Sequence, residues 1–227
     1  KSSQWFYCMN GYTVPPEHCH QRLQSRWMLD MQNLFSVWNE TAGLVIGGGN
    51  SKQQPQFSTF TVTDGVRVFL SPDRVELETR NGRDALVAYY GETVCRLDAE
   101  LEPDRSRLNI SLSCVSGETA EITARLTFRG IERKDAFVVG QEASRCQLNG
   151  LSSWSASLVA GHGRGDTLQI GVIHIDAPDG ASFDWPEYPF NPYAINNASD
   201  PEYAVGCLSL KLRPGESAKR VIVSVAE

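Results

Sequence analysis

Val94-Cys95-Arg96-Leu97-Asp98-Ala99-Glu100-Leu101-Glu102-Pro103-Asp104-Arg105-Ser106-Arg107-Leu108-Asn109-Ile110-Ser111-Leu112-Ser113-Cys114 alternates apolar and polar residues on both sides of Asp104-Arg105. With that dipeptide at the centre of a hairpin, Leu101 faces Leu108, Ala99 faces Ile110, Leu97 faces Leu112 and Cys95 faces Cys114. All of these are apolar, while Arg96, Asp98, Glu100, Asn109, Ser111 and Ser113 fall on the opposite face. A slip of one residue would exchange the two faces, so the register is specified by the pattern. One buried face and one wet face is the signature of antiparallel sheet. A turn at Ser116-Gly117-Glu118 extends the reasoning: Leu112 then meets Ile122, Ile110 meets Ala124 and Leu108 meets Leu126, which predicts a three-strand meander. Opposed Cβ atoms in an antiparallel pair lie ~4.5–5.5 Å apart, against ~3.8 Å across a disulfide. Cys95 and Cys114 are therefore read as adjacent reduced thiols acting as small hydrophobes, a bridge requiring local adjustment.

The same texture runs outward from this hairpin. Short runs rich in Val, Ile, Leu, Thr and Phe, separated by turn residues, mark further strands at 44–46, 57–62, 66–70, 75–80 and 85–90, and at 168–176, 204–212 and 220–225. Many short strands with frequent turns predict an all-β fold, a large antiparallel β-sandwich of supersandwich type. Residues 1–40 differ. They hold Trp5, Trp27 and Trp38 and all three methionines, and the apolar offsets over 22–38 suit a helix after the block imposed by Pro15-Pro16. The predicted organisation is an N-terminal linker with a short helical segment over 1–40 and the sandwich over 41–227.

Composition excludes several classes. Net charge is −6 with no basic block, which argues against a nucleic-acid partner. No apolar run approaches the ~20 residues of a membrane-spanning helix, so no membrane partner is expected. The chain opens on Lys1-Ser2-Ser3, with no signal peptide, as a mature product or a fragment would. Six cysteines in 227 residues are too sparse for the framework of a small disulfide protein. N-x-S/T triplets begin at Asn39, Asn109 and Asn197 and carry meaning only in a eukaryotic secretory setting.

Three segments bear chemistry-capable residues. Gly47-Gly48-Gly49-Asn50-Ser51-Lys52 lacks P-loop spacing and is followed by Pro55, so it reads as a special turn or a close backbone approach. Asp184 to Tyr193 is a polar–aromatic block too proline-rich for a central strand. Its Trp185, Tyr188 and Tyr193 suit stacking on a sugar face or packing against another domain. Among the histidines, His18 and His20 flank Cys19, with Cys8 upstream. No paired short spacing of the zinc type exists, so no metal and no cofactor are expected. His174 shares a face with Ile170, Val172 and Asp176 by alternation, as an ordinary half-buried strand histidine would. His162 lies in Gly161-His162-Gly163-Arg164-Gly165, where a loop histidine beside Arg164 offers a base and a carboxylate partner, or is simply solvated. No GxSxG, HExxH, GxGxxG or kinase signature occurs.

Leu44 through Phe60 and Phe183 through Tyr193 together resemble the β-sandwich part of heparinase II/III-like proteins, in which an α/α-toroid precedes a large antiparallel sandwich. The likeness covers roughly residues 20–225 and includes no catalytic signature. It implies an accessory sandwich of a polysaccharide-degrading, lyase-like protein, packing against a helical toroid that is missing here and inactive alone, with 22–38 as a last toroid helix or linker. It implies a polysaccharide or oligosaccharide as partner, in a bacterial periplasmic, extracellular or cytoplasmic setting. That family's Tyr/His/Asn catalytic set does not map onto this chain. The alternatives are a free-standing carbohydrate-binding module stacking sugars on Trp185, Tyr188 and Tyr193, a sugar isomerase or epimerase with His162 or His174 as base, and a structural assembly domain.

Overall fold

A computed structural model describes residues 4–13, 25, 27, 32–47, 52–117, 121–129, 135–139, 145–147, 153–160, 166–197 and 199–225. Over these the chain forms two sheets, and every strand pairing is antiparallel. The first sheet runs β1 (Trp5–Met9), β2 (Phe35–Asn39), β3 (Gly43–Ile46), β10 (Glu121–Arg129), β17 (Val205–Leu212), β16 (Ala181–Glu187), β13 (Trp154–Leu158). Beside β3, β4 (Phe60–Thr63) also pairs with β10 and carries the short β5 (Val68–Phe69). The second sheet runs β12 (Arg145–Gln147), β11 (Asp135–Val139), β14 (Thr167–Ile170), β15 (Ile173–Asp176), β18 (Lys219–Val225), β9 (Arg107–Ser116), β8 (Thr93–Leu101), β7 (Arg83–Tyr90), β6 (Arg74–Arg80).

The two sheets enclose one core. Phe35, Val37, Phe60, Ile122, Leu126, Phe183 and Leu208 from the first sheet meet Leu86, Leu97, Leu108, Ile110, Ile175 and Val223 from the second, and none of these is more than 2% exposed. Each contributing strand alternates, which is how a sandwich places one face of each sheet inside. Polar ties cross between the sheets at the N-terminal edge. The Tyr7 hydroxyl donates to Asp84 Oδ2 at 2.7 Å, and the Trp5 indole donates to the Ser106 carbonyl at 3.0 Å.

The β8–β9 hairpin has the register read from its alternation, with Leu101 opposite Leu108, Ala99 opposite Ile110, Leu97 opposite Leu112 and Cys95 opposite Cys114. The meander does not continue. β10 leaves for the first sheet, where it pairs with β17, β3 and β4, and the free edge of β9 is taken by β18. Ile122, Ala124 and Leu126 still point into the core, from across it and not from beside β9.

Other sequence expectations change in instructive ways. The helix expected over 22–38 is not seen among the described residues. Its last part is β2, whose Phe35 and Val37 are buried while Ser36 and Trp38 face outward, a period of two and not 3.6. Of the remainder, Ser25, Trp27 and residues 32–34 are described and none is helical; the others lie outside the described residues. The strand expected over 168–176 is a hairpin of β14 and β15, because Gly171 adopts φ 57° at the first position of a two-residue turn, the conformation such a turn demands. Of the block 184–193, only its first four residues belong to a central strand, and the part with Pro189 and Pro192 does not. β16 lies between β17 and β13, and the register shifts between Asp184 and Glu187, so Pro186 falls at an irregularity where no ladder donor is needed. Of the glycine run, Gly47 has φ 98° and a backbone so close to β2 that an added Cβ would meet Ser36 Oγ at 2.6 Å.

Candidate functional site

The outward face of the first sheet is polar, covered around Thr123, Thr127 and Cys207 and open at Ser155, Ser157, Ser182 and Lys211. On β10, alternation sends Ile122, Ala124, Leu126 and Phe128 inward and turns Thr123, Arg125, Thr127 and Arg129 outward. Register then builds two rows. Thr127, Cys207, Asp184 and Ser155 lie side by side across β10, β17, β16 and β13, and Arg125, Ser209, Ser182 and Ser157 form the next row. Glu187 follows beyond the β16 irregularity, opposite Val205. Side chains on this face are hydrogen-bonded to one another: Ser155 Oγ donates to Asp184 Oδ1 at 2.7 Å, Lys211 Nζ donates to Thr123 Oγ1 at 3.1 Å, and the Arg125 guanidinium donates to Thr61 Oγ1.

A segment from Lys52 to Ser58 runs along this face and ties in its surroundings. The Cys207 thiol donates to the Gln56 carbonyl at 3.6 Å. Gln54 reaches the 188–190 segment twice, its amide donating to the Tyr188 carbonyl at 2.9 Å and its side-chain oxygen accepting from the Phe190 amide at 2.8 Å. Lys52 Nζ donates to the Ser25 carbonyl at 2.7 Å. Two residues beyond Ser25, the Trp27 ring meets that of Tyr193, centroids 5.1 Å apart and planes at 56°. Both rings are exposed, Trp27 by 58% and Tyr193 by 84%.

Cover changes the electrostatics. Burial pulls the Arg125 guanidinium below its ordinary value, against the opposing pull of Cys207 and Glu187. Burial, and after it the neighbouring Asp184, raises the Glu187 carboxyl, with Arg125 opposing. Burial pushes the Cys207 thiol up to about 11, so at neutral pH it is a packed thiol and not a nucleophile. The face therefore combines a planar five-donor cation, a carboxyl biased toward its protonated form, a second carboxylate and several hydroxyls. That set can grip ligand hydroxyls or a carboxylate.

The outward face of the second sheet is also charged, but its ion pairs are solvated. Arg96 bridges Glu78 at 3.0 Å and Asp98 at 2.9 Å, Arg83 meets Glu100 at 2.8 Å, and Arg220 meets Asp179 at 3.3 Å. A depression of about 230 Å³ lies between Asp98, Glu100, Asn109, Ser111 and Arg220. Exposed pairs of this kind contribute little and are normal on a sheet surface.

The residues singled out in the sequence scatter. Trp185 is 4% exposed and points into the core, its indole N–H without a hydrogen-bond partner among the described residues, so its ring offers no open face to a sugar. Tyr188 packs half-buried against the core, and Tyr193 stands exposed beside Trp27. His174 does not share a face with Ile170, because the turn at Gly171 resets the alternation. It lies between Gln169 and Ser224 on the outward face of the second sheet, on the far side of the sandwich from Arg125. His162, Arg164, His18, Cys19 and His20 lie outside the described residues. Among the described residues, no group of three or more His, Cys, Asp or Glu side chains is placed to hold a metal ion, and no helix is long and apolar enough to cross a membrane. Arg125, Asp184, Glu187, Cys207 and Lys211 went unremarked as site residues. The available signal was the polar alternation of 121–128 and 205–211, which by itself says only that these side chains face outward.

No family model and no curated protein matches the sequence. Solved structures with a resembling backbone include one described as the crystal structure analysis of HI1317, with TM-score 0.40 and 10% identity, over 84% of this chain and 88% of that one. Another is the 4-alpha-glucanotransferase from Thermococcus litoralis, with TM-score 0.38 and 11% identity, over 96% of this chain and 31% of that one. Likeness this slight carries no inference about activity.

Proposed function

We propose that this chain is the β-sandwich part of a polysaccharide-handling protein, with the outward face of its first sheet forming the floor of a glycan cleft and a helical neighbour forming the opposite wall. The observation that carries the reading is the covered polar face itself. A sheet surface that only met water would have no reason to lay the 52–58 segment over Cys207 or to bury Arg125 and Glu187 on the same face, since burying charge is costly unless a partner or ligand uses it. The exposed Trp27–Tyr193 corner, joined to that face through Lys52 and Gln54, supplies the apolar ring surface that sugars stack on and that a packed domain would cover. The residues bearing the role are Arg125 and Lys211 as cationic donors, Asp184 and Glu187 as carboxyl partners, and Trp27 and Tyr193 as the aromatic rim.

The same aromatic rim favours a second reading, a carbohydrate-binding module that works without a neighbour. One titration separates the two. Neutral and uronate-containing oligosaccharides are added to the isolated chain, and tryptophan fluorescence is followed in the native protein, in Trp27→Ala and in Lys211→Ala. A saturable change that Trp27→Ala abolishes establishes the module. No change with the isolated chain, but binding once the adjoining helical region of the same gene product is supplied, establishes the two-walled cleft. Absence of binding in both settings overturns the glycan reading.

A further inference from the structure

We infer that Cys95 and Cys114 are a redox-modifiable pair, a dithiol that a small-molecule disulfide such as glutathione disulfide converts to a cross-strand bridge between β8 and β9. The inference stands on placement. The two residues are direct partners in the β8–β9 ladder, and both are core-facing, Cys95 at 0% and Cys114 at 3% exposure. The register shifts between Val94 and Cys95, immediately beside the pair, and two residues on from Cys114, Ser116 is the last residue of β9. A ladder interrupted at that point has slack to bring opposed Cβ atoms from the ~4.5–5.5 Å of an ordinary pair to the ~3.8 Å of a bridge.

The two thiols are also differentiated. They hydrogen-bond each other. That bond and burial hold the Cys95 thiol above its ordinary range, while accepting the bond lowers Cys114. Cys114 Sγ in turn lies 3.2 Å from the Ser116 carbonyl, at the end of the strand nearest solvent. Cys114 is thus the attacking sulfur and Cys95 the resolving one. The Cys114 thiolate attacks one sulfur of glutathione disulfide, forming a Cys114–glutathione mixed disulfide and releasing one glutathione thiolate. Cys95 Sγ then attacks Cys114 Sγ, its proton passing to the departing glutathione sulfur, which forms the Cys95–Cys114 bond and releases the second glutathione. Two thiol protons and two electrons leave the protein, and two molecules of glutathione are formed. Among the described residues Cys207 is bonded to no other cysteine; its thiol meets the Gln56 carbonyl and Ser209 Oγ.

The test uses the native full chain incubated with glutathione disulfide, followed by alkylation of remaining thiols under denaturing conditions and peptide mapping. The expected result is the loss of two of the six alkylatable thiols, a linked peptide pair containing Cys95 and Cys114, and reversal by a dithiol reductant. Cys95→Ala should instead retain a single glutathione on Cys114, since the resolving sulfur is gone, and Cys114→Ala should leave Cys95 unmodified. Six thiols retained under conditions that oxidise an exposed dithiol control, or linkage among other cysteines with Cys95 and Cys114 left reduced, overturns the inference.

Discussion

Replacing Tyr7 by Phe tests whether the N-terminal segment is an integral part of the sandwich. The substitution keeps the ring, which packs with its centroid 6.0 Å from that of Phe35, and removes only the hydroxyl that donates to Asp84 Oδ2 at 2.7 Å. Hydrogen bonds to charged groups contribute ~1.5–3 kcal/mol when well shielded. Asp84 is only half-buried, at the rim of the second sheet, so the loss expected is about 1 kcal/mol. For a chain of this length that is a fall in Tm of roughly 2–4 °C. The effect has a pH signature. Hydrogen bonds from Thr79 and then Tyr7 hold the Asp84 carboxyl below its ordinary value. A depressed folded value means the stabilisation is present above the unfolded value of about 3.9 and lost as pH falls through the lower folded one. Calorimetric melts of the native protein and Tyr7→Phe should therefore differ in full at pH 7 and converge below about pH 4. Identical melting at pH 7 would refute the claim that β1 is stapled to the second sheet through this bond. A gap that persists undiminished in acid would refute the assignment of the bond to the Asp84 carboxylate.

Glu187→Gln should act in the opposite direction. The folded carboxyl is held above its unfolded value, so that stabilisation is full below about pH 4 and disappears as pH rises through the folded value; the neutral amide should raise Tm at pH 7–8 and leave it unchanged at pH 4, in melts by calorimetry. Gly206→Ala should be costly although β17 is a regular strand, because the new Cβ would lie 2.1 Å from Phe183 Cζ in a fully buried ring cage; a loss of roughly 1–3 kcal/mol in urea unfolding is expected, and Phe183→Leu should partly restore the loss. Leu112→Ala removes a fully buried side chain from the centre of β9 and should cost about 2–5 kcal/mol by the same measurement, whereas Val66→Ala, at a residue 90% exposed, should cost almost nothing.

The β8–β9 hairpin was legible from residues 94–114 down to its pairing partners, since centring the turn on Asp104-Arg105 fixes the partners and a one-residue slip would put Leu97 and Ala99 on the opposite face from Ile110 and Leu112. The all-β class was legible for the same reason. The candidate site was legible only in fragments. The block from Asp184 to Tyr193 drew attention, but alternation within β16 put Trp185 in the core and left Asp184 outside, and nothing local distinguishes Arg125 or Cys207 from any other outward-facing residue of a strand.

Local pattern therefore settled which residues turn inward and how adjacent strands of one hairpin match. It did not settle which sheet a strand joins. Ile122, Ala124 and Leu126 are equally buried beside β9 or across the core from it, so the binary pattern of 121–128 is the same in both topologies; the edge competition that β18 wins against β10 decides between them. It also did not reveal the covered polar face, which exists only because segment 52–58, distant in sequence, folds over β10 and β17 and takes the Cys207 thiol and the 188–190 backbone as partners. Burial on one side of a strand is a property of its neighbours in sequence, whereas burial of an outward-facing charge is a property of what the rest of the chain lays on top of it.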